Sequence, residues 1–344
     1  MRVVLMEDRY RRISRVPVLG SGITGQLPRS RVLVVGCGAL GSASAMLAVR
    51  MGAGRVRLVD RDIVEEANLS DQCLYSESDA AAHRTKAESA AQALAALNRR
   101  VEVEGVVADF SHVNAERLCE GIDLILDGSD NLETKYLLND VAVALNIPWV
   151  YAGCAGTRGT ILAVVPGRCH CLRCIWDDPP PRGCVDGCES MGMLPTTAFS
   201  VAAVQVNEAL RILLAKDDDP VGGVISVDTW SGYFRKIPIP AFRPGCCPVC
   251  GARNFAYLGG RRSLGATALC GGQAVLVDPG EGSFDFLGVR SRLMARLAVT
   301  EGSDCLRFVQ GDYSFLIFSS GRALIYGVSD TVKARALYGR YVAP

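Results

Sequence analysis

The sequence predicts an α/β fold: a mostly parallel sheet with helices on both faces, then a small α+β module at the C-terminal end. Three observations carry this. Residues 31–62 (RVLVVGCGALGSASAMLAVRMGAGRVRLVDRD) read as strand, glycine turn, helix, strand and acid. From there to about residue 228, apolar runs of strand length alternate with helical patterns, as in strands joined by helical crossovers. After about residue 256 the character changes, and short strands dominate.

The first stretch is the most informative. The apolar run 31–35 leads straight into Gly36, Gly38 and Gly41, a G-x-G-x-x-G. A small-residue helix over 42–51 is stopped by Gly52 and Gly54, and a second strand over 55–59 delivers Asp60 and Asp62. This is a Rossmann-like, nucleotide-binding βαβ pattern. Glycines let the backbone approach a phosphate, and the helix N-terminus offers it free N–H groups. Asp60, 19 residues past Gly41, stands where an acid accepts from a ribose hydroxyl. The competing reading is a tight βα turn with no ligand.

The rest of the chain extends the alternation. Residues 63–86 read as a loop and 80–98 as an Ala-rich helix. Strands are expected over 101–108, 123–126, 148–151, 160–165 and 224–228, and helices over 114–120, 134–145 and 199–214. The strand 123–126 ends in DGSDN, which carries Asp130. Ligands gather at the carboxyl ends of parallel strands, and Asp60, Asp62 and Asp130 all fall there. Residues 176–197, rich in Pro and Gly and holding Cys184 and Cys188, read as a long loop. Beyond 256, a strand is expected over 268–277, a helix over 284–299, strands over 306–308, 313–318 and 323–326, and a closing helix over 331–341. The expected division is therefore 1–255 and 256–344, the second unit showing no catalytic constellation.

At 344 residues, 49% hydrophobic, with a mean hydropathy of +0.20, the chain can bury a sizeable core. Its net charge of +1, with no basic block, argues against nucleic acid as the main partner. No apolar run reaches membrane-spanning length and the N-terminus lacks a signal-peptide core, so a cytoplasmic protein is expected.

Fourteen cysteines without a secretion signal point to metal ligands or reactive thiols rather than disulfides. Cys171/Cys174 and Cys247/Cys250 form two C-x-x-C pairs, together the right number of thiolates for a structural Zn²⁺. Four buried free thiols are the alternative. Cys169, His170 and Cys246 lie beside the pairs and read as neighbours. Cys37 and Cys154 read as small apolar residues.

These stretches resemble a known family, the ThiF/MoeB/HesA adenylyltransferases, relatives of the ubiquitin-activating enzymes. The resemblance rests on RYRR (9–12), GCGALGS (36–42), LVDRDIVEEANL (58–69), Lys86, LDGSDN (126–131), CLRC (171–174), CESMGML (188–194) and CPVCG (247–251), in family order. It implies Mg-ATP-dependent adenylation of the C-terminal Gly-Gly carboxylate of a ubiquitin-like sulfur carrier protein. The product would go on to thiocarboxylation, with a separate protein as sulfur donor, in the synthesis of thiamine, molybdopterin or a related product. It also implies roles for particular residues. Gly36, Gly38 and Gly41 would cradle the nucleotide, Asp60 would bind ribose, and Asp62 would stand beside it at the strand end. Asn68 and Lys86 would contact phosphates, and Asp130 would hold Mg²⁺. Arg12 would reach the γ-phosphate of a partner subunit, which implies a homodimer. Cys188 would be the loop thiol that some members join covalently to the carrier, with Cys184 as a rival or resolving thiol.

One position departs from the family pattern. Where the family reads N-L-x-R-Q, this chain reads NLSDQ, so Asp71 replaces a triphosphate-contacting arginine. Arg84 is a candidate to reach inward in its place. The departure motivates a second reading, a catalytically weak or silent partner that docks a carrier. A nicotinamide-dependent oxidoreductase accounts for the glycine turn and Asp60, but leaves Lys86, Asp130 and the thiol loop unexplained.

Overall fold

The run Arg31–Val35 forms β1, and four of its five residues are buried. Val32 and Val34 pack into one hydrophobic cluster, Leu33 and Val35 into another. A continuous apolar run is what a strand covered on both faces needs. The structure is a computed structural model and describes residues 9–19, 22–176, 179, 191–214, 222–239, 245, 247–260, 267–268, 274–279, 284–302 and 305–342. Cys184, Cys188 and Cys246 lie outside the described residues.

β1 is central to an eight-stranded sheet of order β3-β2-β1-β4-β5-β6-β7-β8. β2 (Arg55–Asp60), β3 (Glu102–Val107), β4 (Leu124–Asp127) and β5 (Trp149–Ala155) continue it in parallel. β6 (Arg158–Val164), β7 (Val224–Asp228) and β8 (Tyr233–Ile237) close it antiparallel. Four long helices cover it: α1 (Ala39–Met51), α2 (Lys86–Leu97), α3 (Leu132–Leu145) and α4 (Pro195–Leu213). α1, α2 and α4 share one face and α3 takes the other. The strand order reverses between β1 and β4, which opens a crevice at the carboxyl ends.

The helix expected over 80–98 is two pieces, Glu77–Ala81 and α2, because His83 adopts φ 48° and ends the first. Thr85 pairs with Ile63 in an isolated bridge, and the Lys86 N–H donates to the Asp62 carbonyl at 2.8 Å. The break thus places Lys86 at the first turn of α2, against β2. The helix expected over 199–214 starts earlier, at Pro195, since proline suits a first turn. β8 was not expected.

The second sheet is fully antiparallel, of order β11-β12-β13-β14-β10-β9. Its strands are β9 (Thr267–Ala268), β10 (Ala274–Val277), β11 (Val299–Glu301), β12 (Cys305–Gln310), β13 (Tyr313–Phe318) and β14 (Ala323–Tyr326), with α5 (Phe286–Met294) and α6 (Thr331–Tyr341). The strand expected over 268–277 is therefore two strands. The helix expected over 284–299 stops at Met294, because Val299–Glu301 pairs with β12 instead.

Alternate residues of this sheet serve different neighbours. Val275, Phe308, Phe315 and Ile325 pack with Val289 of α5 and Tyr338 of α6. Leu276, Phe318 and Leu324 instead form a cluster with Ile63, Ala87 and Val107 of the first unit. Each large apolar side chain buried in this seam contributes about 1.5–3 kcal/mol. This apolar seam joins the two sheets.

Candidate active site

The crevice at the β1/β4 reversal is a cleft of ≈ 730 Å³, within the range of roughly 300–1,000 Å³ typical of small-molecule sites. Its floor is the glycine turn. Gly36 has φ 88°, and a Cβ there would meet the Gly128 carbonyl oxygen at 2.5 Å. A Cβ on Gly41 would meet the Gly36 oxygen at 1.8 Å. These two glycines let the turn, the end of β4 and α1 pack backbone to backbone. Gly38 is different: it precedes α1 and lines the cleft, and a Cβ there would meet nothing within 4 Å. Its bareness leaves room for a ligand against the α1 N-terminus, where the free N–H groups suit an anion.

Asp60 ends β2 and is buried. It accepts from Cys37 N–H at 2.6 Å and Asp62 N–H at 2.7 Å, so it also fastens the glycine turn to β2. Burial, with Asp62 nearby, pushes its carboxyl up to about 6, although Lys86 and both N–H groups oppose this. Asp62 faces Lys86, with Nζ to Oδ2 3.4 Å. Lys86 is only 7% exposed. Burial alone would depress its ammonium, but Asp62, Asp60 and Asp130 outweigh burial and hold it above its ordinary value. A buried lysine that stays charged beside a cleft is a fixed cation for an incoming anion.

The DGSDN turn divides its duties. Asp127 is buried and accepts from Ser129 Oγ at 2.6 Å and Lys135 Nζ at 2.8 Å. Asn131 caps α3 by accepting from Thr134 N–H at 2.9 Å. Asp130 is thereby released from capping and faces the cleft. The cleft strips part of its hydration, yet Arg61, the Asn131 amide at 3.2 Å and Lys86 hold its carboxyl below the usual range. Asn68 lines the same cleft, with its Oδ1 accepting from Glu65 N–H at 3.0 Å. The cleft thus gathers Gly36, Gly38, Asp60, Asp62, Asn68, Lys86 and Asp130, with Gly41 packed behind the turn.

Arg12 is exposed and does not line this chain's cleft. The segment that bears it is anchored: Tyr10 is buried, and its hydroxyl accepts from Asn98 Nδ2 at 2.8 Å. Arg84 turns away, towards Gln92 Oε1 at 3.2 Å and Asp79 at 3.6 Å, so it does not replace the missing arginine. Asp71 does line the cleft, and burial raises its carboxyl while Lys86 opposes.

Sequence reasoning missed four residues here. Lys135 gives its three donors to Asp127, Ser129 O and Ala152 O and ties β4 to β5. Arg61 lines the cleft and donates to Asp109 Oδ1 at 2.6 Å. Asp109 is buried between Arg61 and Arg322. Tyr326 lines the cleft from the second sheet, and its hydroxyl accepts from Ile63 N–H at 3.1 Å. Arg61 stands between Asp60 and Asp62 in a stretch already singled out, whereas Lys135, Asp109 and Tyr326 carry no motif. Among the described residues the cleft is lined by six carboxylates and four cations.

Away from the cleft, the Sγ atoms of Cys171, Cys174, Cys247 and Cys250 all lie within 4.8 Å of one another. The spacings Cys171–Cys174, Cys171–Cys247 and Cys174–Cys250 are 3.8, 3.6 and 3.4 Å. A tetrahedron with bonds of about 2.3 Å has edges of about 3.8 Å, so the donor set fits a tetrahedral metal. Cys169 stands apart, its Sγ accepting from Val165 N–H at 2.9 Å. Leu172 N–H donates to Asn139 Oδ1 at 2.8 Å, and Asp140 accepts from Tyr257 N–H at 2.8 Å, so both sides of the cluster are tied to α3.

Known proteins are similar to this chain. The ThiF family matches residues 10–249. The sulfur carrier protein ThiS adenylyltransferase of Bacillus subtilis is 33% identical over 340 residues, covering 98% of this chain and 100% of the relative. The adenylyltransferase and sulfurtransferase MOCS3 of Drosophila ananassae is 36% identical over 252 residues, 72% of this chain, which spans 55% of that relative. In structure, E. coli MccB crystallised with ATP superposes with a TM-score of 0.60 at 20% identity, covering 70% of this chain and 74% of that one. That likeness concerns the fold. A family match over most of the length, with a relative aligned end to end, means that the chain belongs to the ThiF family.

Proposed function

We propose that this protein is an adenylyltransferase that activates the C-terminal Gly-Gly carboxylate of a ubiquitin-like sulfur carrier protein with ATP. The carboxylate oxygen attacks the α-phosphorus, the bond to pyrophosphate breaks, and the acyl-adenylate remains for later thiocarboxylation by a separate sulfur donor. The observation that carries this is the convergence of the open Gly38 position, Lys86 and Asp130 on one cleft at the strand ends. Two anions must meet there, and fixed cations lower the barrier to that meeting.

In this reading Gly36 and Gly41 shape the turn, and Gly38 admits the phosphates. Asp60 or Asp62 receives the ribose, and Asn68 and Lys86 orient the phosphates. Asp130, held ionised, is the residue to hold Mg²⁺, whose charge would offset that of the triphosphate. The excess of carboxylates over cations favours such an ion, since a bare triphosphate would be repelled. The four cysteines are assigned Zn²⁺ in a closed structural site. Residues 1–255 carry this chemistry and 256–344 form the module packed on them. A homodimer in which Arg12 serves the partner's cleft, a cytoplasmic setting and a carrier-linked role for Cys188 belong to the same proposal. Among the described residues no helix is long and apolar enough to cross a membrane.

The test is ATP–pyrophosphate exchange with purified carriers ending in Gly-Gly, taken from the genes beside this one. Exchange is expected only when carrier, ATP and Mg²⁺ are all present. No exchange with any such carrier would count decisively against the reading.

A further inference from the structure

The second sheet touches the cleft at its charged residues. Arg322, immediately before β14, is only 6% exposed. Its Nη1 donates to Asp109 Oδ2 at 2.9 Å, its Nη2 to Glu133 Oε1 at 2.6 Å and its Nε to Asp278 Oδ2 at 2.8 Å. Asp109 and Glu133 belong to the first unit and Asp278 to the second. The other oxygen of Asp109 holds Arg61 at 2.6 Å. Arg61 in turn faces the cleft, with its Nε 3.8 Å from Asp62 Oδ1. A continuous chain of charge-assisted hydrogen bonds therefore runs from the second sheet to a cation on the cleft wall.

A second connection lies beside it. Tyr326, the last residue of β14, accepts the Ile63 N–H, which directly follows Asp62. Ile63 and Ala87 also enter the apolar seam with Leu276, Phe318 and Leu324. Ala87 directly follows Lys86. The second sheet is thus braced against the two backbone segments that present Asp62 and Lys86, and its Ala274 and Tyr326 form part of the wall.

We infer that the C-terminal sheet is a working part of the nucleotide site: Arg322, acting through Asp109, is a positioning residue for Arg61, which contacts the bound nucleotide's phosphates. Arg61 needs such a brace. Released from Asp109, its side chain would fall to the cleft carboxylates Asp62 and Asp130 and neutralise the groups that the ribose and a divalent ion require. Held by Asp109, it keeps its charge on the wall while the cleft acids stay available. The inference rests on the adenylation reading for what the cleft binds.

The test is a double-mutant cycle on the full chain, read as the dissociation constant of the non-hydrolysable analogue AMPPCP with Mg²⁺ by calorimetry, which needs no carrier. Arg61→Met should weaken binding roughly tenfold and Arg322→Lys roughly three- to fivefold. The double variant should bind no worse than Arg61→Met alone, because Arg322 acts only through Arg61. Arg322→Lys losing the same factor in both backgrounds would reveal a merely structural role and overturn the inference, as would no loss in either. If Arg322→Lys does not fold, Asp278→Asn, which loosens Arg322 from its own sheet, takes its place in the cycle. Failure of the unaltered chain to bind AMPPCP would instead sink the adenylation reading.

Discussion

Asp71 is the cleft residue that departs from the expected family pattern. It places a carboxylate on the wall where the family pattern has arginine, and Arg84 does not compensate. Reversing that charge should help the substrate: Asp71→Arg is expected to lower the KM for ATP in pyrophosphate exchange roughly tenfold, about 1.4 kcal/mol. An unchanged KM would place Asp71 clear of the phosphates. Asp60 yields a pH prediction. Its folded carboxyl, raised to about 6, holds its proton more tightly than the same group in the unfolded chain. The folded state therefore binds more protons between about pH 4 and about pH 6, so this group's contribution to stability falls as pH rises through that window. Asp60→Asn removes the titration. The unfolding free energy of the unaltered chain minus that of the variant should then decline from about pH 4 to about pH 6, measured by denaturant titration at each pH. A flat difference would show that Asp60 titrates normally.

Elements explain which parts of the site could be foreseen. The βαβ unit was legible because the apolar run of β1, the glycines and the acid at the end of β2 each follow from local stereochemistry. The strand-end place of Asp130 followed from the alternation and Lys86 came from the family resemblance, and the elements explain how both reach the cleft. Asn131 takes the capping task, and the break at His83 turns Lys86 inward. Arg322 was illegible because its partners are set by how the two sheets dock, Asp109 lying 213 residues away, and the Arg61–Asp109 pair because it joins the ends of β2 and β3 across 48 residues. A hint existed in YSFLIF and ALIY, whose apolar residues occupy both strand faces. One face is covered by α5 and α6, and the other had to meet something else. The four-cysteine cluster also acts on elements, clamping the segment after β6 and the segment around 250 onto α3. We expect one zinc per purified chain by elemental analysis, with chelation or Cys250→Ser lowering the melting temperature on the order of 10 °C. A metal-free chain that melts at the same temperature would exclude a structural zinc.

At the scale of the whole molecule, the position of Arg12 sets the last prediction. The arm that bears it is fixed by Tyr10 against Gly52 and Asn98, on the α1/α2 face, and its guanidinium lies outside this chain's own cleft. A cation anchored this way serves a nucleotide only if a second copy brings its arm to the first copy's site. A two-fold symmetric dimer would complete both clefts in the same way. The consequence is testable by subunit mixing. Arg12→Ala and Lys86→Ala should each be nearly inactive in pyrophosphate exchange as pure dimers. After denaturation together and refolding, half of the dimers are mixed. In each mixed dimer one cleft keeps its own Lys86 and receives an intact Arg12 from the partner, while the other cleft lacks both. Exchange should therefore recover to about a quarter of that of the unaltered protein. No recovery, with mixed dimers demonstrated by tagging one variant, would mean that Arg12 acts within its own chain or not at all.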